Sequence, residues 1–143
     1  VLMHSRGTPK DMQQLPPMDH AVDEVITSLQ ESVALAGRCG VARENIAIDP
    51  GIGFGKTVDQ NLELIVGLDR LADHFPDMPV LIGTSRKSFL GKLLNGAPAD
   101  ERLNATIATL VASVMHGAHI VRVHDVKSTV EALKIADAIR SVS

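Results

Sequence analysis

The sequence contains no tryptophan or tyrosine and only three phenylalanines. Surfaces that bind single-stranded nucleic acid depend on aromatic side chains for base stacking, so this shortage argues against such a surface. The formal net charge is −3 and no block of basic residues is present, so the chain offers no basic surface that would attract a nucleic-acid phosphate backbone. We therefore expect no nucleic-acid partner.

Cysteine and long apolar runs are also scarce. The single cysteine, Cys39, cannot form an internal disulfide, which is typical of a reducing compartment. It lies near the end of a predicted helix without an obvious base beside it, and we expect it to serve packing. No apolar run approaches the roughly 20 residues of a membrane span, and no signal peptide is visible. These absences predict a cytoplasmic protein that handles a small molecule and has no membrane partner.

Hydrophobic residues make up 45% of the chain, enough to bury a core. Four short apolar segments are predicted to be strands: 1–4, 46–49, 79–83 and 119–123. Each is followed by a stretch with helical spacing. The first helix is predicted at about 19–38 with Asp19 as the N-cap, and the second follows the loop 50–56 with Leu62, Ile65, Val66, Leu68 and Leu71 facing inward. A short helix is predicted just after 84–88. The last two are predicted from 101 or 102 to about 117 and at about 126–142. The order indicates a parallel sheet covered by helices on both faces.

Two architectures fit this order, an open doubly wound sheet and part of a (β/α)8 barrel. Polar residues follow the carboxyl end of every predicted strand, at 4–6, 49, 85–87 and 122–125. A barrel builds its active site from those positions, whereas a doubly wound sheet concentrates them at one switch point. The even distribution favours the α/β TIM barrel, of which four βα units are half of about 250 residues.

The segment 49–57, Asp-Pro-Gly-Ile-Gly-Phe-Gly-Lys-Thr, ends like a phosphate-binding loop. That motif needs glycine where Pro50 stands, and the dinucleotide motif needs glycine where Lys56 stands, so we expect no nucleotide site. The glycines let the backbone approach a ligand closely. Asp49, at a strand end, can accept paired hydrogen bonds from an amino-substituted ring. A structural role for Asp49, capping a helix or pairing with Lys56, explains these residues equally well.

Two later segments suggest anion binding. The run 85–88, Ser-Arg-Lys-Ser, opens a helix whose free N–H groups can bind an anion beside Lys87, although serines there can also be simple caps. Arg122 and His124 lie on one face of the last strand. Because an arginine is costly to bury unpaired, Arg122 forms either an ion pair or part of a site for an anion, for which phosphate is the natural choice.

The remaining histidines carry no site in this interpretation. His116 and His119 have the spacing of a metal pair, but they straddle a helix end at Gly117. Structural or solvated roles are expected for both, and for His20 and His74. No metal ligand is predicted within the chain.

Four segments together resemble the second half of the dihydropteroate synthases. They are Leu2-Met3-His4 with Gly7-Thr8-Pro9, the loop 49–56, the turn Gly83-Thr-Ser-Arg-Lys-Ser88, and the run 117–125. The resemblance spans essentially all 143 residues. It implies that residues 1–143 are the C-terminal half of a pterin-binding (β/α)8 barrel domain and hold its last four βα units.

The resemblance further implies a transferase of folate biosynthesis, in a family targeted by sulfonamides. Such an enzyme condenses 7,8-dihydropterin pyrophosphate with para-aminobenzoate and yields dihydropteroate and pyrophosphate. Asp49 would hold the aminopyrimidine edge of the pterin, while Met3 and Phe54 would line the faces of its ring. Lys87 would contact the pterin, and Ser88 would lie near para-aminobenzoate.

At the other end of the substrate, the resemblance implies that Arg122 and His124 bind the pyrophosphate. Lys87 and Arg122 are the catalytic candidates. The family also implies Mg²⁺ bound with the pyrophosphate, with its protein ligand in an N-terminal half that has no counterpart in these residues. A homodimer through the later helices is expected, and the isolated 143 residues are expected to be inactive or nearly so.

Two rival interpretations remain beside this one. Another pterin-binding barrel, such as a methyltetrahydrofolate methyltransferase domain, fits the fold but not the Ser-Arg-Lys turn or the Arg-Val-His-Asp strand end. A non-catalytic half-barrel that only associates through its helices has no use for Asp49, Lys87 and Arg122.

Overall fold

The computed structural model describes residues 1–8, 10–12 and 14–142, so Pro9 of the family-like segment lies outside the described residues. Its four strands are parallel and contain two residues each, fewer than predicted: β1 Leu2–Met3, β2 Ile48–Asp49, β3 Leu81–Ile82 and β4 Ile120–Val121. β1 pairs with β2, β3 pairs with β4, and a bridge between Ile48 and Val80 joins the two pairs. This sequential order lacks the reversal of a doubly wound sheet and is the order of a barrel.

Six helices follow the strands in the predicted order among the described residues. They are α1 Ala21–Arg38, α2 Val58–Val66, α3 Leu68–His74, α4 Ser88–Leu93, α5 Leu103–Met115 and α6 Val126–Arg140. Single 3₁₀ turns at Arg43–Asn45 and Ala99–Glu101 complete the connections. Among the described helices, none is both long enough and apolar enough to cross a bilayer.

The second unit contains two helices where the sequence predicted one. α2 ends at Gly67, whose position leaves no room for a side chain: a Cβ there would lie 2.7 Å from Cγ2 of Val22 on α1. The inward stripe agrees with the prediction at Ile65, Leu68 and Leu71, which are buried. It differs at Leu62 and Val66, which are exposed, while Asn61 and Leu64 are buried in their place.

The beginning of α1 differs from prediction, whereas its end at Arg38 is as predicted. His20, not Asp19, is the N-cap residue, and no side chain caps the helix there. The inward residues Val22, Val25, Ile26, Leu29 and Val33 are buried as their spacing predicts. Cys39 is exposed just beyond the last turn, so the packing role expected for it is wrong.

Burial differs between the middle and the ends of the sheet. Both residues of β2 are buried, whereas Met3 of β1 is 39% exposed and Ile120 of β4 is 40% exposed. The predicted cover on both faces therefore applies to the middle of the sheet only. The carboxyl ends of all four strands lie at one edge, where the polar residues collect.

Candidate functional site

The carboxyl ends of β2, β3 and β4 bring three predicted site residues within electrostatic reach of one another. Asp49 ends β2, Lys87 follows β3 and Arg122 follows β4. Burial raises the pKa of Asp49, while the hydrogen bond from Gly51 and the charges of Lys87 and Arg122 lower it. The group is therefore a buried carboxylate facing two cations, an arrangement suited to a polar ring with an anionic substituent.

The loop 50–56 wraps closely around the end of β1. Gly51 has φ +69°, and a Cβ at this position would overlap the carbonyl oxygen of His4. Only glycine fits both the dihedral angle and the space. The Gly51 N–H donates to Oδ1 of Asp49 at 2.7 Å. Asp49 is absent from the ion pairs of the described residues, so it contacts the turn and does not form the predicted alternative pair with Lys56.

Asn61 holds the same loop from α2, a role that sequence inspection missed. Its side chain is buried, its Oδ1 accepts from the Gly53 N–H at 2.6 Å, and its Nδ2 donates to the Thr57 carbonyl at 2.7 Å. Thr57 and Gln60 form a reciprocal capping box that begins α2 at this point. The Thr-x-x-Gln spacing was a usable signal for that helix start, whereas Asn61 gave none.

The buried contact between Lys56 and His4 was likewise not predicted from the sequence. Lys56 is buried, and its Nζ lies 2.9 Å from Nδ1 of His4. Burial, with some support from neighbouring cations, lowers the pKa of Lys56 to about 7, although Asp49 opposes this. Burial and the charges of Lys56 and Arg6 likewise lower the pKa of His4 to about 4. A lysine directly after a glycine-rich loop was visible in the sequence, but its partner is 52 residues away.

Lys87 lies over the loop from the other side. It is the N-cap residue of α4, and its Nζ donates to the Ile52 carbonyl and lies 4.8 Å from the centroid of the Phe54 ring. A Cβ at Gly53 would lie 3.2 Å from Cδ of Lys87, so this glycine makes room for the lysine stem. Burial lowers the pKa of Lys87 to about 8, with Asp49 opposing the shift and Arg122 adding to it.

An ion pair links the turn after β3 to the turn after β4. Arg86 has φ +60°, an uncommon conformation for a residue with a side chain. Its guanidinium binds Asp125 through two contacts of 2.7 and 3.1 Å, and this hydrogen bonding holds the pKa of Asp125 below its usual range. The Arg86 carbonyl accepts from Arg102 at 2.8 Å. These contacts fix the backbone just before Lys87, and the sequence assigned none of them.

Arg122 and His124 are both exposed on one face, as strand alternation predicted. Ser85 contacts His124 twice: Oγ lies 2.9 Å from Nδ1 and accepts from the backbone N–H at 3.2 Å. Arg122 belongs to none of the ion pairs between described residues, and it lies beside Gly83, where a Cβ would be 3.5 Å from its Nε. The ion pair that the sequence offered as one alternative for Arg122 is therefore not found among the described residues, and its exposure removes the cost of burial on which both alternatives rested.

These residues line one cavity of about 220 Å³, bounded by Gly83, Ser85, Lys87, Arg122, Val123 and His124. Met3 lies at the neighbouring end of β1, opposite Asp49 in the strand register. Ser88 begins α4 as predicted, but it is exposed and does not line the cavity. The structure thus brings Lys87, Arg122 and His124 together, with Asp49, Phe54 and Met3 on the adjoining side.

The described residues contain no group of three or more His, Cys, Asp or Glu side chains able to hold a metal ion. His119 instead accepts a hydrogen bond from the Val80 N–H through Nδ1 at 3.2 Å, a structural contact. His74 contacts Gln30 through Nε2.

Known proteins resemble this chain in sequence and in fold. A family model described as "Pterin binding enzyme" matches residues 1–124. The dihydropteroate synthase of Escherichia coli K12 is 46% identical over 138 residues, which cover 96% of this chain and 48% of that protein. The chain spans about half the length of the curated relatives it matches.

Solved structures give the same result. A Yersinia pestis dihydropteroate synthase in a sulfonamide drug complex superposes with a TM-score of 0.94 at 42% identity, covering 99% of this chain and 51% of that one. A Xanthomonas albilineans dihydropteroate synthase with 4-aminobenzoic acid superposes with a TM-score of 0.87 at 36% identity, covering 99% and 49%. These matches confirm the resemblance drawn from the four sequence segments, and they confirm an α/β barrel fragment.

Proposed function

The chain belongs to the pterin-binding enzyme family, and on that premise we propose that it is the C-terminal half of a dihydropteroate synthase. Residues 1–143 would supply the last four βα units of a (β/α)8 domain. The complete enzyme would be a cytoplasmic transferase of folate biosynthesis. It would join 7,8-dihydropterin pyrophosphate to para-aminobenzoate and release pyrophosphate.

One observation carries this proposal: a buried carboxylate and two cations meet at one edge of the sheet. Asp49 is 6% exposed and lies under the influence of Lys87 and Arg122. A pterin needs an acceptor for its amino group and ring N–H at one end, and its pyrophosphate needs cations at the other. Asp49 would meet the first end and Arg122 the second, while Lys87, which follows the strand between theirs, would contact the ring.

In the proposed mechanism the pterin lies along the loop 50–56. Asp49 would accept two hydrogen bonds from the aminopyrimidine edge, with Phe54 and Met3 against the faces of the ring. Lys87, already against the Phe54 ring at 4.8 Å, would donate to a pterin heteroatom in place of the Ile52 carbonyl. Ser88, exposed at the start of α4, would contact para-aminobenzoate.

Bond breaking would take place at the cationic end. Arg122 and His124 would bind the pyrophosphate and stabilise the negative charge that grows on the leaving oxygen as the C–O bond breaks. The amine of para-aminobenzoate would then attack the electron-poor pterin carbon and lose a proton. The exposure of Arg122 and His124 leaves both groups free to meet a polyanion.

Mg²⁺ would neutralise part of the pyrophosphate charge when bound with the substrate. The side chains that line the cavity here are cationic or neutral, and they do not fit the oxygen ligand set that Mg²⁺ prefers. We therefore propose that the protein ligand of this ion lies outside these residues. A homodimer through the later helices is supported by the apolar side chains exposed on α6, such as Ile135, which is 64% exposed.

The test is para-aminobenzoate-dependent release of pyrophosphate by the native gene product, including any residues that flank this chain. Lys87→Ala and Arg122→Ala are each expected to lower kcat/KM on the order of a hundredfold or more, since each removes a charged contact to substrate. Arg38→Ala and Arg43→Ala, which remove exposed charges at the end of α1 and in the turn after it, are the matched controls. Equal losses in the controls, or no release by a folded parent protein, would favour the non-catalytic half-barrel.

The 143 residues alone are expected to show negligible turnover, because the family binds its substrates with residues of both halves. Turnover by the isolated chain that equals that of the native product would contradict this expectation.

A further inference from the structure

We propose that Lys56 is a positioning residue, which fixes the loop 50–56 and thereby places Asp49 and Phe54. The role in catalysis rests on the proposed function, whereas the role in holding the loop does not. Lys56 was used in the sequence only to exclude a nucleotide motif, and its contacts give it a different use.

The ammonium of Lys56 meets three acceptors, one for each of its N–H donors. Nζ lies 2.8 Å from the Gly51 carbonyl oxygen, 3.1 Å from the Phe54 carbonyl oxygen and 2.9 Å from Nδ1 of His4. The residue is 6% exposed, so these contacts replace nearly all of its hydration. A buried ammonium without such partners would be strongly unfavourable, which makes the three contacts mutually dependent.

The atoms that Lys56 joins are those that set the shape of the loop. The Gly51 carbonyl also accepts from the Phe54 N–H at 3.1 Å, so both ends of this turn are tied to Nζ. The Gly51 N–H donates to the carboxylate of Asp49, and the third contact reaches His4 at the end of β1. One side chain therefore connects the residue that would read the pterin edge, the aromatic ring beside it and the neighbouring strand.

The ammonium of Lys56 is directed at the protein, since its three donors all meet protein acceptors. The residue lines a different cavity, of about 260 Å³, from the one between Lys87 and Arg122. Lys87, by contrast, lines the latter cavity and lies over the Phe54 ring. The two lysines therefore have different proposed roles: Lys87 would contact the ligand, and Lys56 would hold the loop that the ligand contacts.

The experiment compares Lys56→Met with Arg38→Met, which removes an exposed cation at the end of α1, in the native gene product. Amide hydrogen exchange reports on the loop without any substrate. We expect the amides of Gly51 and Phe54 to exchange about tenfold faster in Lys56→Met, because buried carbonyls lose their partner. Amides of α5 should exchange as in the parent protein, and Arg38→Met should change neither set.

Steady-state kinetics supply the second readout. In Lys56→Met the KM for dihydropterin pyrophosphate is expected to rise about tenfold, while the KM for para-aminobenzoate stays unchanged. His4→Ala removes one of the three acceptors and leaves the two carbonyl contacts, so it should show a smaller effect in the same loop amides. If Lys56→Met does not fold, hydrogen exchange in His4→Ala still tests whether the contacts of Lys56 hold the loop. In the double variant, His4→Ala should add little to Lys56→Met.

Several outcomes would overturn the proposal. Unchanged exchange at Gly51 and Phe54 in both variants would mean that Lys56 does not hold the loop. Faster exchange throughout the chain, or equal rises in KM for both substrates, would indicate general destabilisation. If the parent protein shows no turnover, the proposed function fails, and the exchange comparison still decides the role of Lys56.

Discussion

The two sides of the candidate site are held in different ways. The loop side, which consists of His4, Asp49 and the loop 50–56, is fixed by buried contacts to backbone carbonyls and amides. The turn side, which consists of residues 85–87 and 122–125, is fixed by one part-exposed ion pair and a serine–histidine contact. Arg122 and His124 on the turn side remain exposed, whereas Asp49 and Lys56 on the loop side are buried.

This difference corresponds to two kinds of recognition. A flat, uncharged ring is selected by shape and by hydrogen bonds at fixed positions, and these need a rigid, desolvated surface. A pyrophosphate is attracted by charge over a longer range, and flexible exposed cations can adjust to it. Under the proposed function, the loop side would supply geometry and the turn side would supply charge.

The largest test of this comparison is Asp49→Asn in the native gene product. Asparagine keeps an acceptor for the Gly51 N–H but presents an amide N–H to one of the two pterin donors. We expect kcat/KM for dihydropterin pyrophosphate to fall on the order of a hundredfold, with the KM for para-aminobenzoate unchanged. Asp73→Asn, on the exposed face of α3, is the control. If kcat/KM of Asp49→Asn falls less than about threefold, the loop side does not recognise the pterin by fixed hydrogen bonds.

A smaller effect is expected from pH, and it belongs to the loop side. The pKa of Lys56 is lowered to about 7 by burial, below that of an unfolded lysine. Between these values the unfolded chain binds more protons than the folded one, so stability rises with pH through this window. Lys87, with its pKa lowered to about 8, adds to the rise at its upper end.

Urea unfolding measures this effect. The parent protein should gain on the order of 1 kcal/mol in free energy of unfolding between about pH 7 and pH 9. Lys56→Met should gain less, because only Lys87 then contributes. Parallel profiles for the two proteins would show that Lys56 keeps an ordinary affinity for its proton.

The smallest effect is expected from Asp125→Asn on the turn side. The variant weakens the contact that holds Arg86, but the pair is part-exposed and such pairs contribute little. The KM for dihydropterin pyrophosphate should rise less than about fivefold, and high salt should reduce the difference from the parent protein. Asp77→Asn, which breaks the exposed pair with Arg43, is the matched control. A loss as large as that of Asp49→Asn would show that both sides depend on rigid positioning.

The sequence predicted what depends on local spacing. The order of strands and helices, the loop at 50–56 and the shared face of Arg122 and His124 follow from periodicity and from glycine placement. The positions of Asp49, Lys87 and Arg122 at one edge follow from the parallel sheet. These features need only neighbours in the chain, or a single rule of topology.

The features that it missed join distant residues or depend on competition between neighbours. His4 and Lys56 are 52 residues apart, and Arg86 and Asp125 are 39 apart, so neither pair leaves a local pattern. The inward residues of α2 were predicted correctly at Ile65 but wrongly at Leu62, because polar Asn61 takes the buried position beside it. The roles toward substrates of all the candidate residues remain predictions: Met3, Asp49, Phe54, Lys87, Ser88, Arg122 and His124.

The turn at Gly51 has a consequence at the level of the genetic code. Any side chain at this position would meet the carbonyl of His4 and would have to adopt a positive φ. Every missense change of one base in a glycine codon gives a residue with a Cβ: alanine, valine, serine, cysteine, arginine, tryptophan, aspartate or glutamate. No single-base missense step at codon 51 therefore leaves the end of β1 where it is.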